Sequence, residues 1–256
     1  MILGVLDWGI GGLGFHQLLR ARFPRGRIVY WSDSGVMPYG RLPANDLAAR
    51  VDFVARAMGA RGVTHLALAC HAASSVLHLL PGERSGRPEI TGIIEPGAAA
   101  IHALRRPGFV GVLGGRRTIL SRVYRRLLDG LKIRQRIAQP LSAHVEAGDL
   151  DSSALRRDLL AIMAPLRRAD TLLLACTHYP ALARGIQALA PNARLIDPAA
   201  AMLRWIERHW PLDPMSGAGD DFITTGDPNV MRRSARLAFG VRISGAIEVF
   251  RSSRRP

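Results

Sequence analysis

Cysteine occurs twice in this chain, and both times in the same setting. Leu172-Leu173-Leu174-Ala175-Cys176-Thr177-His178-Tyr179-Pro180 is a short apolar run that ends in a thiol, followed at once by a hydroxyl, an imidazole and a proline stop. His65-Leu66-Ala67-Leu68-Ala69-Cys70-His71-Ala72-Ala73-Ser74 repeats the design earlier. Each thiol therefore falls at the carboxyl end of a buried strand, where open α/β sheets bind ligands. A thiol is useful to chemistry as its thiolate, and with an ordinary pKa of about 8.5 it needs help from a histidine, a helix N-terminus or a carboxylate. Three readings compete. Cysteines are often merely core residues. Cys70-His71 with Cys176-x-His178 offers four zinc donors, but adjacent strand residues point opposite ways and the spacing is not a finger's, so no metal is expected. Equivalent placement in two half-domains favours a paired chemical role.

The elements that must position these thiols alternate strand and helix along the chain. Ile2–Leu6 reads as a buried strand ending at Asp7, and Trp8-Gly9-Ile10-Gly11-Gly12-Leu13-Gly14 opens a helix through Leu19. Gly9, Gly11 and Gly14 satisfy G-x-G-x-x-G, and Asp33 follows the next strand, Arg27–Trp31, where a dinucleotide fold places its ribose acid. Against a nucleotide, Asp7 sits where its charge would face the pyrophosphate; the glycines equally permit a tight turn beside any small anion. A rigid Pro38-Tyr39-Gly40 corner, a helix over Asn45–Ala60 capped by Asn45, and a strand over Ile90–Ile94 come next. Phe109–Leu113 begins a second half. Ile119, Leu120, Val123, Tyr124, Leu127 and Leu128 then form one helical stripe, with Arg122, Arg125 and Arg126 opposite. Ala143–Gly148 reads as a strand end carrying Glu146, Leu155–Leu166 as helical, and Phe222–Pro228 leads to a last helix and a frayed basic tail. Such alternation predicts an α/β fold with two lobes of mostly parallel sheet flanked by helices.

Composition narrows the classes further. The 256 residues suffice for one large domain or two small ones. The apolar run from Val63 to Leu80 is broken by histidines and serines, so no membrane span is expected. Met1–Asp7 lacks a basic leader, and two cysteines in strand ends fit a reducing cytoplasm. The net charge of +15 invites nucleic acid, yet Lys132 is the only lysine, and in the densest basic region, Arg105–Arg136, Arg122, Arg125 and Arg126 read as a solvated helix face, which disfavours that partner.

Taken in order, these segments resemble the glutamate racemase family of the aspartate/glutamate racemase superfamily. The matching residues are the Asp7-x-Gly-x-Gly-Gly-Leu loop, Asp33 with Pro38-Tyr39-Gly40, Ala69-Cys70-x-x-x-Ser74 and Gly92-Ile93-Ile94-Glu95-Pro96-Gly97-Ala98. Arg116-x-Thr118, Val145-Glu146-x-Gly148, Cys176-Thr177-His178-Tyr179-Pro180, Ile196-Asp197 and Thr225-Gly226-Asp227 continue the match to near the end of the chain. The resemblance implies two pseudo-symmetric lobes with the active site in the cleft between them: residues 1–95 with about 205–256 as the first, 96–204 as the second. It implies racemisation without a cofactor, Cys70 and Cys176 flanking the substrate α-carbon as base and acid. Asp7 and Asp33 belong to the Cys70 side, Glu146 and His178 to the Cys176 side. A pyridoxal enzyme would need a Schiff-base lysine, and Lys132, amid arginines, is an implausible one.

The chain departs from the family in its binding groups. Trp8 stands where the family usually has serine, His71 and Ala72 where it has asparagine and threonine, and Gly115 where it has threonine. Trp8, Asp33, Pro38, Tyr39, Gly40, His71, Ala72, Thr118, Thr177 and His178, with Asp7, are the expected substrate-binding set. The expected partner is a small amino acid, L-glutamate converted to D-glutamate for peptidoglycan; a homodimer stays open. Two alternatives stand beside the racemase: another superfamily activity, such as isomerisation or decarboxylation, and a non-catalytic binding homologue.

Overall fold

The computed structural model describes residues 1–82, 85–210 and 219–251, and among these the strands gather into two parallel sheets. The first sheet takes β1 (Leu3–Asp7), β2 (Ile28–Ser32), β3 (His65–Leu68) and β4 (Glu89–Gly92) from the start of the chain. The second takes β5 (Val110–Gly114), β6 (Ile133–Ile137), β7 (Thr171–Ala175) and β8 (Arg194–Ile196). The chain then returns to the first sheet with β9 (Asp220–Thr224) and β10 (Ile247–Val249). The strand orders are β10-β9-β2-β1-β3-β4 and β6-β5-β7-β8. β1, β2, β5 and β7 are buried at every residue, which is why they read as unbroken apolar runs: helices cover both faces of a parallel sheet.

The helices that supply this cover are α1 (Leu13–Arg22), α2 (Ala44–Gly59), α3 (His71–Ser74), α4 (Ile94–His102), α5 (Arg116–Leu120) and α6 (Val123–Leu127). They continue with α7 (Gln139–Glu146), α8 (Ser153–Met163), α9 (Ala183–Leu189), α10 (Pro198–His209) and α11 (Pro228–Phe239). Side-chain oxygens of Ser152, Asp197 and Asp227 cap α8, α10 and α11. One apolar cluster runs through both halves, joining Leu13 and Phe15 of α1 to Leu141 of α7, Leu174 of β7 and Met202 of α10. No described helix is long and apolar enough to cross a membrane.

Four local expectations need correction. Ala143–Gly148 is not a strand end: Glu146 closes α7, whose Pro140 sits in the first turn, where a missing N–H is harmless. The single arginine-faced helix is two short ones, broken at Arg122, which adopts φ 57°. Pro43, not Asn45, stands at the N-cap of α2. β6 and β10 go beyond the expectations: β6 alternates half-buried with exposed residues inside the densest basic region, and β10 lies in the segment read as a frayed basic end. The frayed tail beyond Arg251 lies outside the described residues.

Candidate active site

β3 lies beside β1 with Leu68 opposite Leu6, so the chain leaving β3 turns over the end of β1. The N–H of Ala69 donates to Leu6 O at 3.1 Å, and Cys70 immediately precedes α3, buried near Asp7, the last residue of β1. Burial pushes the Cys70 thiol well above its ordinary pKa, and the Asp7 charge adds to this against the opposing N–H groups of Ala73 and Trp8. Burial also raises the Asp7 carboxyl, despite the pull of His178, the Thr177 hydroxyl and the Gly9 N–H. Thr177 Oγ1 donates to Asp7 Oδ2 at 2.8 Å, so a residue following the second sheet orients an acid of the first.

The other thiol has a different neighbourhood. β7 ends with Ala175 opposite Gly114, and half-buried Cys176 follows. Its Sγ is 3.5 Å from His178 Nδ1, and His178 Nε2 is 2.5 Å from Glu146 Oε1. Burial opposes charge on His178, but hydrogen bonds to Cys176 and Glu146, with their charges, outweigh it and hold the imidazole pKa well above its ordinary value. Thiol, imidazole and carboxylate thus form one hydrogen-bonded line. The Ile10 N–H fixes its far end, donating to Glu146 Oε1 at 2.8 Å.

This contact explains the glycines. A Cβ on Gly9 would lie 1.9 Å from Glu146 Oε1, and one on Gly11 would lie 2.4 Å from Thr177 Oγ1. Gly9 and Gly11 thus clear space for groups of the second half, whereas a Cβ on Gly14 would make only ordinary contact with Phe239. Between the halves opens a cavity of about 480 Å³, lined by Asp7, Cys70, Glu146, Cys176, Thr177 and His178.

A protein-family model described as Asp/Glu/Hydantoin racemase matches residues 14–205. The chain belongs to the Asp/Glu/hydantoin racemase family. Among its curated relatives is a glutamate racemase of Stutzerimonas stutzeri, 34% identical over 253 residues that cover 93% of this chain and 94% of the relative. Another, from Ectopseudomonas mendocina, is 36% identical over 213 residues, 80% of this chain and 81% of the relative. Glutamate racemase from Thermus thermophilus, solved in complex with β-chloro-D-alanine, has the same fold with a TM-score of 0.82 and 28% identity over 97% of this chain and 96% of that one.

In this racemase fold the other sequence-selected residues divide into two groups. Trp8, Pro38, Tyr39, Gly40, His71, Ala72 and Thr118 all line the cavity. Trp8 Nε1 donates to Val36 O at 3.1 Å, which fixes the indole as a wall. His71 is buried, both ring nitrogens lack a partner among the described residues, and burial drops its pKa to about 3, so it is neutral at ordinary pH. Asp33 lies behind the cavity and does not line it. Its carboxylate accepts from Arg50, from Tyr39 Oη at 2.6 Å and from Thr225 Oγ1 at 3.1 Å, so it holds Tyr39 from the rear. Sequence reading missed Arg41, Arg117, Gln139, Pro140 and Ser142, which also line the cavity. Arg117 stood beside Thr118 within a matched motif, and that adjacency was the available signal.

Proposed function

We propose that this chain is a cofactor-independent glutamate racemase, interconverting L- and D-glutamate by two-base proton transfer, with D-glutamate destined for peptidoglycan and the reaction carried out in the cytoplasm. The observation that carries the reading is the pair of cysteines entering one cavity from equivalent strand ends of two sheets, each with its own acidic support. Racemisation removes a proton from one face of the α-carbon and returns another to the opposite face. A single base would have to release and turn the substrate; two bases need not.

In this mechanism one thiolate takes the α-proton while the other thiol donates, and the roles exchange for the reverse direction. Asp7, whose carboxyl is raised toward the range of a usable base, relays the proton of Cys70. His178 does the same for Cys176, with Glu146 balancing the imidazolium charge. The α-proton of an amino acid is weakly acidic, so the site must also stabilise the carbanion-like transition state with oriented donors. The lobe boundaries near residues 95 and 205 belong to the same proposal.

The deciding experiment incubates the purified protein in heavy water, without cofactor, with both enantiomers of glutamate, aspartate and a panel of other amino acids, and follows the α-proton by NMR. Exchange with inversion of glutamate is expected. Exchange only with a different amino acid would replace the substrate, and exchange with none would remove the activity.

A further inference from the structure

We propose that Arg117 is the specificity residue of this cavity, binding the distal carboxylate of an acidic amino acid. The inference rests on the reading that the cavity takes an α-amino acid, and it names the group that recognises the side chain. Arg117 lies in α5, which follows β5 and so enters beside the Cys176 loop. Its guanidinium reaches the loop beyond β2: Nε donates to Leu42 O at 3.0 Å, and Nη2 donates to the same oxygen. Among the described residues Nη1 has no hydrogen-bond partner and no carboxylate lies within ion-pair distance of Arg117. Arg50 and Arg87, which are more deeply withdrawn from solvent, each have an aspartate: Asp33 and Asp52. A half-buried cation without an anion is costly, and burial lowers the Arg117 pKa accordingly. An incoming carboxylate would remove that cost.

Most of the other polar side chains lining the cavity are neutral and already engaged. The Thr177 hydroxyl is donated to Asp7, Tyr39 Oη to Asp33 and Trp8 Nε1 to Val36 O, and Gln139 Nε2 gives one of its two N–H groups to Ser142 Oγ. Ala72 and Gly115 offer no side-chain donor. His71 lines the wall with both ring nitrogens buried, which leaves Thr118 as a neutral hydroxyl beside the guanidinium. Asp7 and Glu146 attract the substrate ammonium and repel a second carboxylate, which orients the ligand. Arg41, exposed at the same cavity and without an ion pair among the described residues, adds positive potential at the mouth. A guanidinium fork presents paired donors to a carboxylate where lysine presents a point charge.

The experiment compares the parent protein with Arg117→Ala and Arg117→Lys on glutamate and on glutamine, as substrate or competitor, together with calorimetric binding of glutarate, which carries the carboxylates without the amine. Arg117→Ala should raise KM for glutamate, and Kd for glutarate, by about tenfold or more. kcat should change little, glutamine should be nearly unaffected, and lysine should restore part of the loss. If glutamate and glutamine worsen together, Arg117 is only a strap between the halves and the proposal falls; it falls equally if glutarate binds the alanine variant as tightly as the parent. A parent protein that binds glutarate through Arg117 but never exchanges glutamate would overturn the racemase reading and leave this one standing.

Discussion

The two thiols occupy matching strand ends, yet the molecule treats them differently. Cys70 is buried near a buried carboxylate, and both of those groups are pushed toward their protonated forms. Cys176 is half-exposed and stands at the head of an imidazole–carboxylate line whose histidine is held toward its charged form. Geometric pseudo-symmetry therefore coexists with electrostatic asymmetry. Two faces of one carbon need two acid–base groups, but nothing requires both groups to be tuned by the same means. Desolvation acts on Cys70, whereas Cys176 has a histidine held toward its charged form as its neighbour.

The largest effect should come from removing either thiol. Cys70→Ser and Cys176→Ser should each cut racemisation roughly a thousandfold or more, with circular dichroism and melting unchanged. Full two-way turnover in either would end the two-base scheme. Next come the supporting acids, with losses of about a hundredfold for Asp7→Asn and for Glu146→Gln. The enantiomers have equal free energy, so kcat/KM must fall equally in both directions. The asymmetry belongs in the isotope effects. Asp7→Asn should raise the α-deuterium effect for one enantiomer, and Glu146→Gln should raise it for the other. The same enantiomer responding to both variants would erase the distinction between the two sides. Gly9→Ala should cost about tenfold in kcat by driving Glu146 away from His178, and its overpacking should cost about 1–3 kcal/mol in urea unfolding. The smallest effect is a shift in labelling. In Cys176→Ser, iodoacetamide should modify Cys70 only at alkaline pH, because the thiolate is disfavoured; adding Asp7→Asn removes a nearby negative charge and should move labelling to lower pH. Rapid modification of Cys70 at neutral pH in the Cys176→Ser background would contradict the burial argument.

What the sequence disclosed follows from where strands are buried. β1, β3 and β7 are short apolar runs ending in Asp7, Cys70 and Cys176, because a parallel sheet hides both faces and presents its chemistry beyond the carboxyl ends. Glu146 was legible as an acid of the Cys176 side but not as a helical one: the segment from Ala143 to Gly148 is too short for periodicity to separate strand from helix. Asp33 could be matched to a motif, but its carboxylate is occupied by Arg50, from α2, and by Thr225, beyond β9, and such long-range partners leave no local trace. β6 was missed because an edge strand is polar on alternate residues, and its arginines blended into their surroundings. Arg117 escaped notice among so many arginines; its half-buried place in the cavity wall without a carboxylate partner among the described residues marks it, and that is a fact of three dimensions.

The strand order of the first sheet has a consequence for biosynthesis. The second sheet uses a continuous stretch from Val110 to Ile196, whereas β2 must await β9, which leaves the ribosome after every strand of the second sheet. Until then the hydrogen-bonding edge of β2 stays open beside Tyr30 and Trp31, an invitation to pair with another nascent chain. The second sheet can pair all its strands early, while the first sheet remains hostage to a distant partner. Growth temperature and chaperone supply should accordingly govern how much intact protein a cell accumulates, and damage to β9 should be felt first as insolubility rather than as slow turnover.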